Sequence, residues 1–143
     1  LTGLVWMQGE SDAADEKNAS EYEAKFTAFV ENLRTELKAP DLCVVMGRIV
    51  AKHRALPHRD AVRKAQEELS RKLSRVTLVD TDDVPNDTLH YTSEGYIELG
   101  KRLAKACAKE CGATKTTAGA GSRDASSVRG RGLKEEPGSQ GLD

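Results

Sequence analysis

Asp87 and His90 stand in a D-x-x-H spacing within "NDTLHYTSEGY". A hydrolytic base needs an imidazole whose Nδ1 proton is held by a carboxylate, which leaves Nε2 free to take a proton from a nucleophile. An Asp three residues before a His can curl back within one loop and make that bond. On spacing alone, an exposed loop His beside a helix-capping Asp is the plainer reading. A second candidate lies in the opening stretch, "LTGLVWMQGESDAADE". Gln8 offers a neutral amide NH2 donor, which is what a developing oxyanion needs. Gly9 lets the backbone turn sharply beside it. The alternative for Gln8 is a structural amide that satisfies a nearby carbonyl.

The remaining polar clusters form no competing site. His53 and His58 flank Leu56-Pro57 in a basic connection with Lys52, Arg54 and Arg59. An exposed loop is expected there, with a lip over the site as the second reading. Asp80, Asp82 and Asp83 resemble an ion-binding run but lack a glycine-containing ligand loop, so a polar strand end is expected. Asp82 or Asp83 could instead compete with Asp87 for His90. Cys43, Cys107 and Cys111 are too few and too scattered for a disulfide framework. Cys107 and Cys111 lack a second pair to complete a metal set. Cys107 and Cys111 are expected as small apolar core residues.

The elements that would position these residues follow from hydrophobic pattern. Leu4 to Met7 is a short apolar run bounded by polar residues, which fits a strand buried on both faces. Gln8 to Asp12 then fall at its carboxyl end, where open α/β sheets bind ligands. "SDAADEKNAS" reads as a polar loop, with Ser20 as a helix N-cap and Glu23 completing a capping box. Tyr22, Phe26, Phe29, Val30, Leu33 and Leu37 make one helical stripe, and Ala39-Pro40 ends that helix. Leu42 to Val50 reads as a second buried strand. Val62, Ala65, Leu69 and Leu73 mark a second helix, and Val76 to Asp80 a third strand. Ile97, Gly100, Ala104, Cys107 and Cys111 stripe a third helix that Gly112 can close. This alternation predicts an α/β fold with a parallel sheet and helices on its faces.

Three strands make a thin sheet for such a fold, and the chain starts inside one of them, so upstream strands are expected. The Gly/Ser/charge-rich stretch 113–143 buries too little to offset its ordering entropy and is expected to be a disordered tail on a domain at 1–112. Among the 143 residues, acids and bases nearly balance, for a formal net charge of −1. That argues against a nucleic-acid binder driven by a basic face. No apolar run approaches the length of a membrane span.

Two blocks carry a family resemblance. "VWMQGESDA" resembles the W-x-Q-G-E-S-[DN] block of the sialate O-acetylesterase-like group, close to carbohydrate esterase family six, within the SGNH (GDSL-like) hydrolases. "DTLHYTSEGYIELGKRLA" is similar to the same group's terminal block, and "VRKAQ" and "VDTDD" to two intervening segments. The matches run in order over about residues 1 to 111. The resemblance implies a three-layer α/β/α sandwich and a serine esterase that removes acetyl groups from carbohydrates, with acetylated sugar as its partner and no cofactor. By position it makes His90 the base and Asp87 the residue that orients it. Gln8 and Gly9 fall in the oxyanion hole, and Glu10 is a supporting residue.

The departure is the nucleophile. The family's G-Q-S-N type block does not occur in this sequence, and Ser11 occupies a position that is not the family's nucleophile. The expectation is therefore the C-terminal part of a hydrolase domain, or a fragmentary gene model of one. A non-catalytic carbohydrate- or partner-binding module on the same fold is the rival.

Overall fold

A computed structural model of the chain describes residues 2–50, 54–86 and 89–112. The stretch 113–143, expected to be a tail, lies outside the described residues, as do His53 and Asp87. Three strands, β1 (Gly3–Trp6), β2 (Cys43–Gly47) and β3 (Val76–Val79), form a parallel sheet in the order β1-β2-β3. Gly3 pairs with Cys43 and Trp6 with Met46, while Val44 pairs with Val76 and Gly47 with Val79. The helices are α1 (Glu10–Ala13), α2 (Glu16–Glu36), α3 (Arg59–Lys72) and α4 (Ser93–Glu110).

Parallel neighbours need crossover connections, and right-handed crossovers along one direction of a sheet place successive helices on the same face. α2 and α3 make those crossovers and pack on each other. α4 packs on β2 and β3 from the opposite face. Side-chain alternation agrees. A Cβ added at Gly3 would meet Cys111, and one at Gly47 would meet Leu99 of α4, whereas Trp6 meets the ring of Phe26 on α2 at 5.5 Å. The result is the three-layer α/β/α arrangement expected from the sequence. β2 lies in the middle with all five residues buried, and each of its large aliphatic side chains contributes roughly 1.5–3 kcal/mol of burial.

Several local expectations are corrected. β1 is not buried on both faces. Val5 is 50% exposed, because α4 covers β2 and β3 and reaches β1 chiefly near Gly3. The stretch after β1 is not a loop, since α1 occupies it. α2 starts before Ser20. Asp15 is its N-cap and accepts from the Asn18 backbone N–H at 2.8 Å, while the Ser20 hydroxyl donates to the Lys17 carbonyl. An aspartate in extended backbone one residue ahead of a helix satisfies an orphan donor directly, and that outcompetes the later serine.

The inward stripe of α4 is Gly95, Leu99 and Leu103, with Ala106 and Cys107 partly buried. It is not the Ile97 stripe, and Ile97 is 60% exposed. The phase is set by Gly95, where an added Cβ would run into the Pro85 carbonyl.

The cysteines are also corrected. Cys43, the first residue of β2, is joined by a disulfide to Cys111, the C-cap of α4, across a sequence separation of 68 residues. Their Cα atoms are 5.3 Å apart, which suits a bridge. The spacing could not show this, because the pairing follows from α4 running back along the sheet. Cys107 is the free thiol. Thiol titration in denaturant without reductant should therefore find one reactive thiol per chain, rising to three after reduction. Three thiols before reduction would contradict the bridge.

Candidate active site

The carboxyl ends of the three parallel strands share one edge, and the polar residues gather there. β1 ends at Trp6 and the chain turns at Gly9, whose φ of 145° is open to glycine and strained for other residues. A side chain there would also press on Ile49 and Val62, each 3.0 Å from an added Cβ. The turn starts α1, and the Gln8 side chain lies against it. Gln8 Nε2 donates to Asp12 Oδ2 at 2.6 Å. One of the two amide protons is thereby anchored, which orients the other. The Gln8 backbone carbonyl accepts from the Tyr22 hydroxyl at 3.0 Å. Beside Gln8 and Asp12 opens a cleft of about 150 Å³ walled by Trp6, Tyr22, Phe26 and Phe29.

Gln66 is a site residue that sequence reasoning missed. It lies on α3 and is fully buried. Its Oε1 accepts from the Ile49 backbone N–H at 3.1 Å. Its Nε2 reaches the carbonyls of Gln8 and Gly47, both at 3.4 Å. One amide thus ties the end of β1 to the end of β2. The available signal was a glutamine inside the apolar stripe of Val62, Ala65 and Leu69, where only a fully partnered amide is tolerated.

His90 belongs to a strap that runs from β3 to α4. Val84 N–H donates to the Thr81 carbonyl, and Thr92 N–H to the Pro85 carbonyl. An antiparallel bridge between Asn86 and Tyr91 draws together the two ends of the segment that holds Asp87 and His90. His90 is exposed. Thr92 caps α4 by accepting from Gly95 N–H at 3.1 Å.

Asp82 and Asp83, weighed as rivals of Asp87, are engaged elsewhere. Both Asp82 oxygens accept from Nη2 of Arg63, and Asp83 accepts a bidentate pair from Nη1 and Nη2 of Arg102. The Arg102 hydrogen bonds hold the Asp83 carboxyl down at about 2.

Glu10 opens α1 and links the two blocks. Burial raises the phenols of Tyr22 and Tyr91, and the Glu10 carboxylate pushes both further up. Glu10 therefore lies within electrostatic reach of the residue next to His90. Ser11 is exposed on α1. His58 is half-buried just ahead of α3, where its backbone N–H donates to the Ala13 carbonyl at 3.0 Å, so it is part of the fold rather than a free loop. Among the described residues no cluster of His, Cys, Asp and Glu could hold a metal ion, and no helix is long and apolar enough to cross a membrane.

Comparison with known proteins places the chain in a family. The family model for carbohydrate esterases described as sialic acid-specific acetylesterases matches residues 1–109. The chain belongs to this carbohydrate esterase family.

A probable carbohydrate esterase of Arabidopsis thaliana is 36% identical over 108 residues, covering 74% of this chain and 40% of that protein. The chain thus spans about two fifths of the length of this curated relative. An Arabidopsis thaliana crystal structure superposes with a TM-score of 0.68 at 34% identity, over 78% of this chain and 45% of the other. A carbohydrate acetylesterase from Xanthomonas citri shares the fold, with a TM-score of 0.65 at 24% identity over 78% of this chain and 26% of that one. Within this family fold, an anchored amide donor and a glycine turn follow β1, and an exposed imidazole lies between β3 and α4.

Proposed function

We propose that this chain carries the base and oxyanion side of a serine-type O-acetylesterase acting on acetylated carbohydrates, such as sialate or xylan-like acetyl esters. In this reading a serine attacks the acetyl carbonyl and His90 takes its proton and passes it to the leaving sugar oxygen. Asp87 holds the imidazole in the useful tautomer. Gln8 donates to the tetrahedral oxyanion, with Gly9 shaping the turn beneath it, and water then releases acetate. Glu10 supports the block. The scheme calls for no metal or organic cofactor.

The observation that supports this reading is that Gln8-Gly9-Glu10 follow β1 and the His90 strap follows β3, so both lie beyond the carboxyl ends of parallel strands. A non-catalytic carbohydrate- or partner-binding module on the same fold is the rival reading that the test separates.

The test compares the chain alone with a hybrid in which it replaces the matching 40% of the Arabidopsis relative. With p-nitrophenyl acetate, the chain alone should turn over no faster than its His90→Ala variant, and the hybrid should be an esterase. Turnover by the chain alone that needs both Ser11 and His90 would overturn the absent-serine assignment. A folded hybrid that binds acetylated sugar without hydrolysing it would favour the module.

A further inference from the structure

β3 delivers the chain into an acidic run, Asp80 to Asp83, and arginines from three different elements close on it. Arg63 of α3 donates to both Asp82 carboxylate oxygens, at 2.7 and 2.8 Å, and to the Ile49 carbonyl at 2.5 Å. Arg102 of α4 donates to both Asp83 oxygens, at 2.5 and 2.8 Å, to the Asp80 carbonyl at 3.2 Å, and to Glu98 at 2.9 Å. Arg48, just past β2, lies 3.3 Å from the Asp80 carboxylate and 3.6 Å from that of Asp82. Beneath them Thr81 is buried, and its hydroxyl donates to the Arg48 carbonyl at 2.6 Å.

A single exposed ion pair fixes little. A planar guanidinium that holds a carboxylate by two bonds and a backbone carbonyl by a third fixes direction as well as distance. Both Arg63 and Arg102 do so, and the Arg63 side chain is only 13% exposed. The gripped residues feed directly into the strap. Val84 bonds back to Thr81, Pro85 accepts from Thr92, and Asn86 bridges to Tyr91. Whatever holds Asp82 and Asp83 therefore sets where both ends of the His90 segment begin.

We propose that Arg63 and Arg102 are positioning residues of the candidate site: from α3 and α4 they grip Asp82 and Asp83 and thereby set where the strap presents His90. Neither touches reacting atoms. The inference deepens the esterase reading of His90, but its test needs no turnover, so failure of one is distinguishable from failure of the other.

The experiment is hydrogen exchange on the 143-residue chain and on its Arg63→Ala, Arg102→Ala and double variants, with ¹³C-labelled histidine reporting the His90 ring. The ring signal is assigned by its loss in His90→Gln. In the double variant, amides of residues 81–92 should exchange at least about 10-fold faster while those of β2 stay protected, and the His90 signal should shift or broaden. Arg63→Lys and Arg102→Lys keep the charge but lose the second nitrogen, which reaches the Ile49 carbonyl from Arg63 and completes the fork on Asp83 from Arg102, and should restore less than half of the protection. Unchanged strap exchange with an unchanged His90 signal overturns the proposal. Faster exchange spread equally over β2 also overturns it, because the arginines would then be general stabilisers. Full rescue by lysine overturns it too, because charge rather than the two-nitrogen grip would be the cause.

Discussion

His90→Ala, made in the hybrid that joins this chain to the remainder of the Arabidopsis relative, should lower kcat by about 10³-fold or more. Of the carboxylates weighed beside Asp87, Asp82 and Asp83 are already paired with Arg63 and Arg102, and a carboxyl held at about 2 is a poor proton acceptor at neutral pH.

The same reasoning ranks the carboxylates. Asp87→Asn should lower kcat strongly, because an amide can stabilise the wrong imidazole tautomer without changing the shape. Asp83→Asn should be mild in kcat, because it weakens only the Arg102 grip on the strap. Steady-state kinetics on acetylated sugars read all three. A crippled Asp83→Asn beside a near-normal Asp87→Asn would refute the D-x-x-H pairing and leave the esterase reading standing. A His90→Ala hybrid with normal kcat would sink both.

What the sequence made legible was periodic or contiguous. The strand–helix alternation, the buried β2 run and the α2 and α3 stripes could be read because burial imposes a period on neighbouring residues. The carboxyl-edge placement of Gln8 followed from strand direction alone. Three features depended on contacts that no local pattern encodes. The α4 phase was decided by the Pro85 carbonyl against Gly95, and between two adjacent apolar stripes a propensity argument has no way to choose. The Cys43–Cys111 bridge joins residues 68 apart, brought together only once α4 runs back along the sheet. The acidic run after β3 looked like a plain polar strand end, because its three arginine partners come from β2's end, α3 and α4. Gln66 was visible as a polar residue in an apolar stripe, but its meaning required knowing which two strand ends lie beside it.

That residue carries the second large effect. Gln66→Leu should lower the unfolding free energy by about 2–4 kcal/mol. The side chain is fully buried, so leucine is similar in size and loses no apolar contact. What it removes is the partner of the Ile49 N–H and the bonds to the Gln8 and Gly47 carbonyls. The Ile49 N–H and the Gly47 carbonyl lose this partner at about 1–3 kcal/mol each, the long 3.4 Å bond counting toward the low end, while the Gln8 carbonyl keeps the Tyr22 hydroxyl.

Gln66→Glu separates polarity from shape. At neutral pH it keeps an acceptor for Ile49 but loses both donor bonds and buries a charge, so it should be at least as damaging as leucine. Burial raises the carboxyl's folded pKa above its unfolded value. The penalty should therefore shrink as pH falls through the raised folded pKa, where the protonated form also regains one donor. Urea unfolding of the hybrid followed by circular dichroism at neutral and acid pH gives both numbers. Gln8→Ala is the contrast. It should cost roughly 10²-fold in kcat with little change in KM and far less stability, because Asp12, which it frees, is half exposed to water. If Gln66→Leu were as stable as the parent while Gln8→Ala unfolded the protein, the two amides would have to exchange roles: Gln66 would be dispensable to the fold, and Gln8 would be the structural amide.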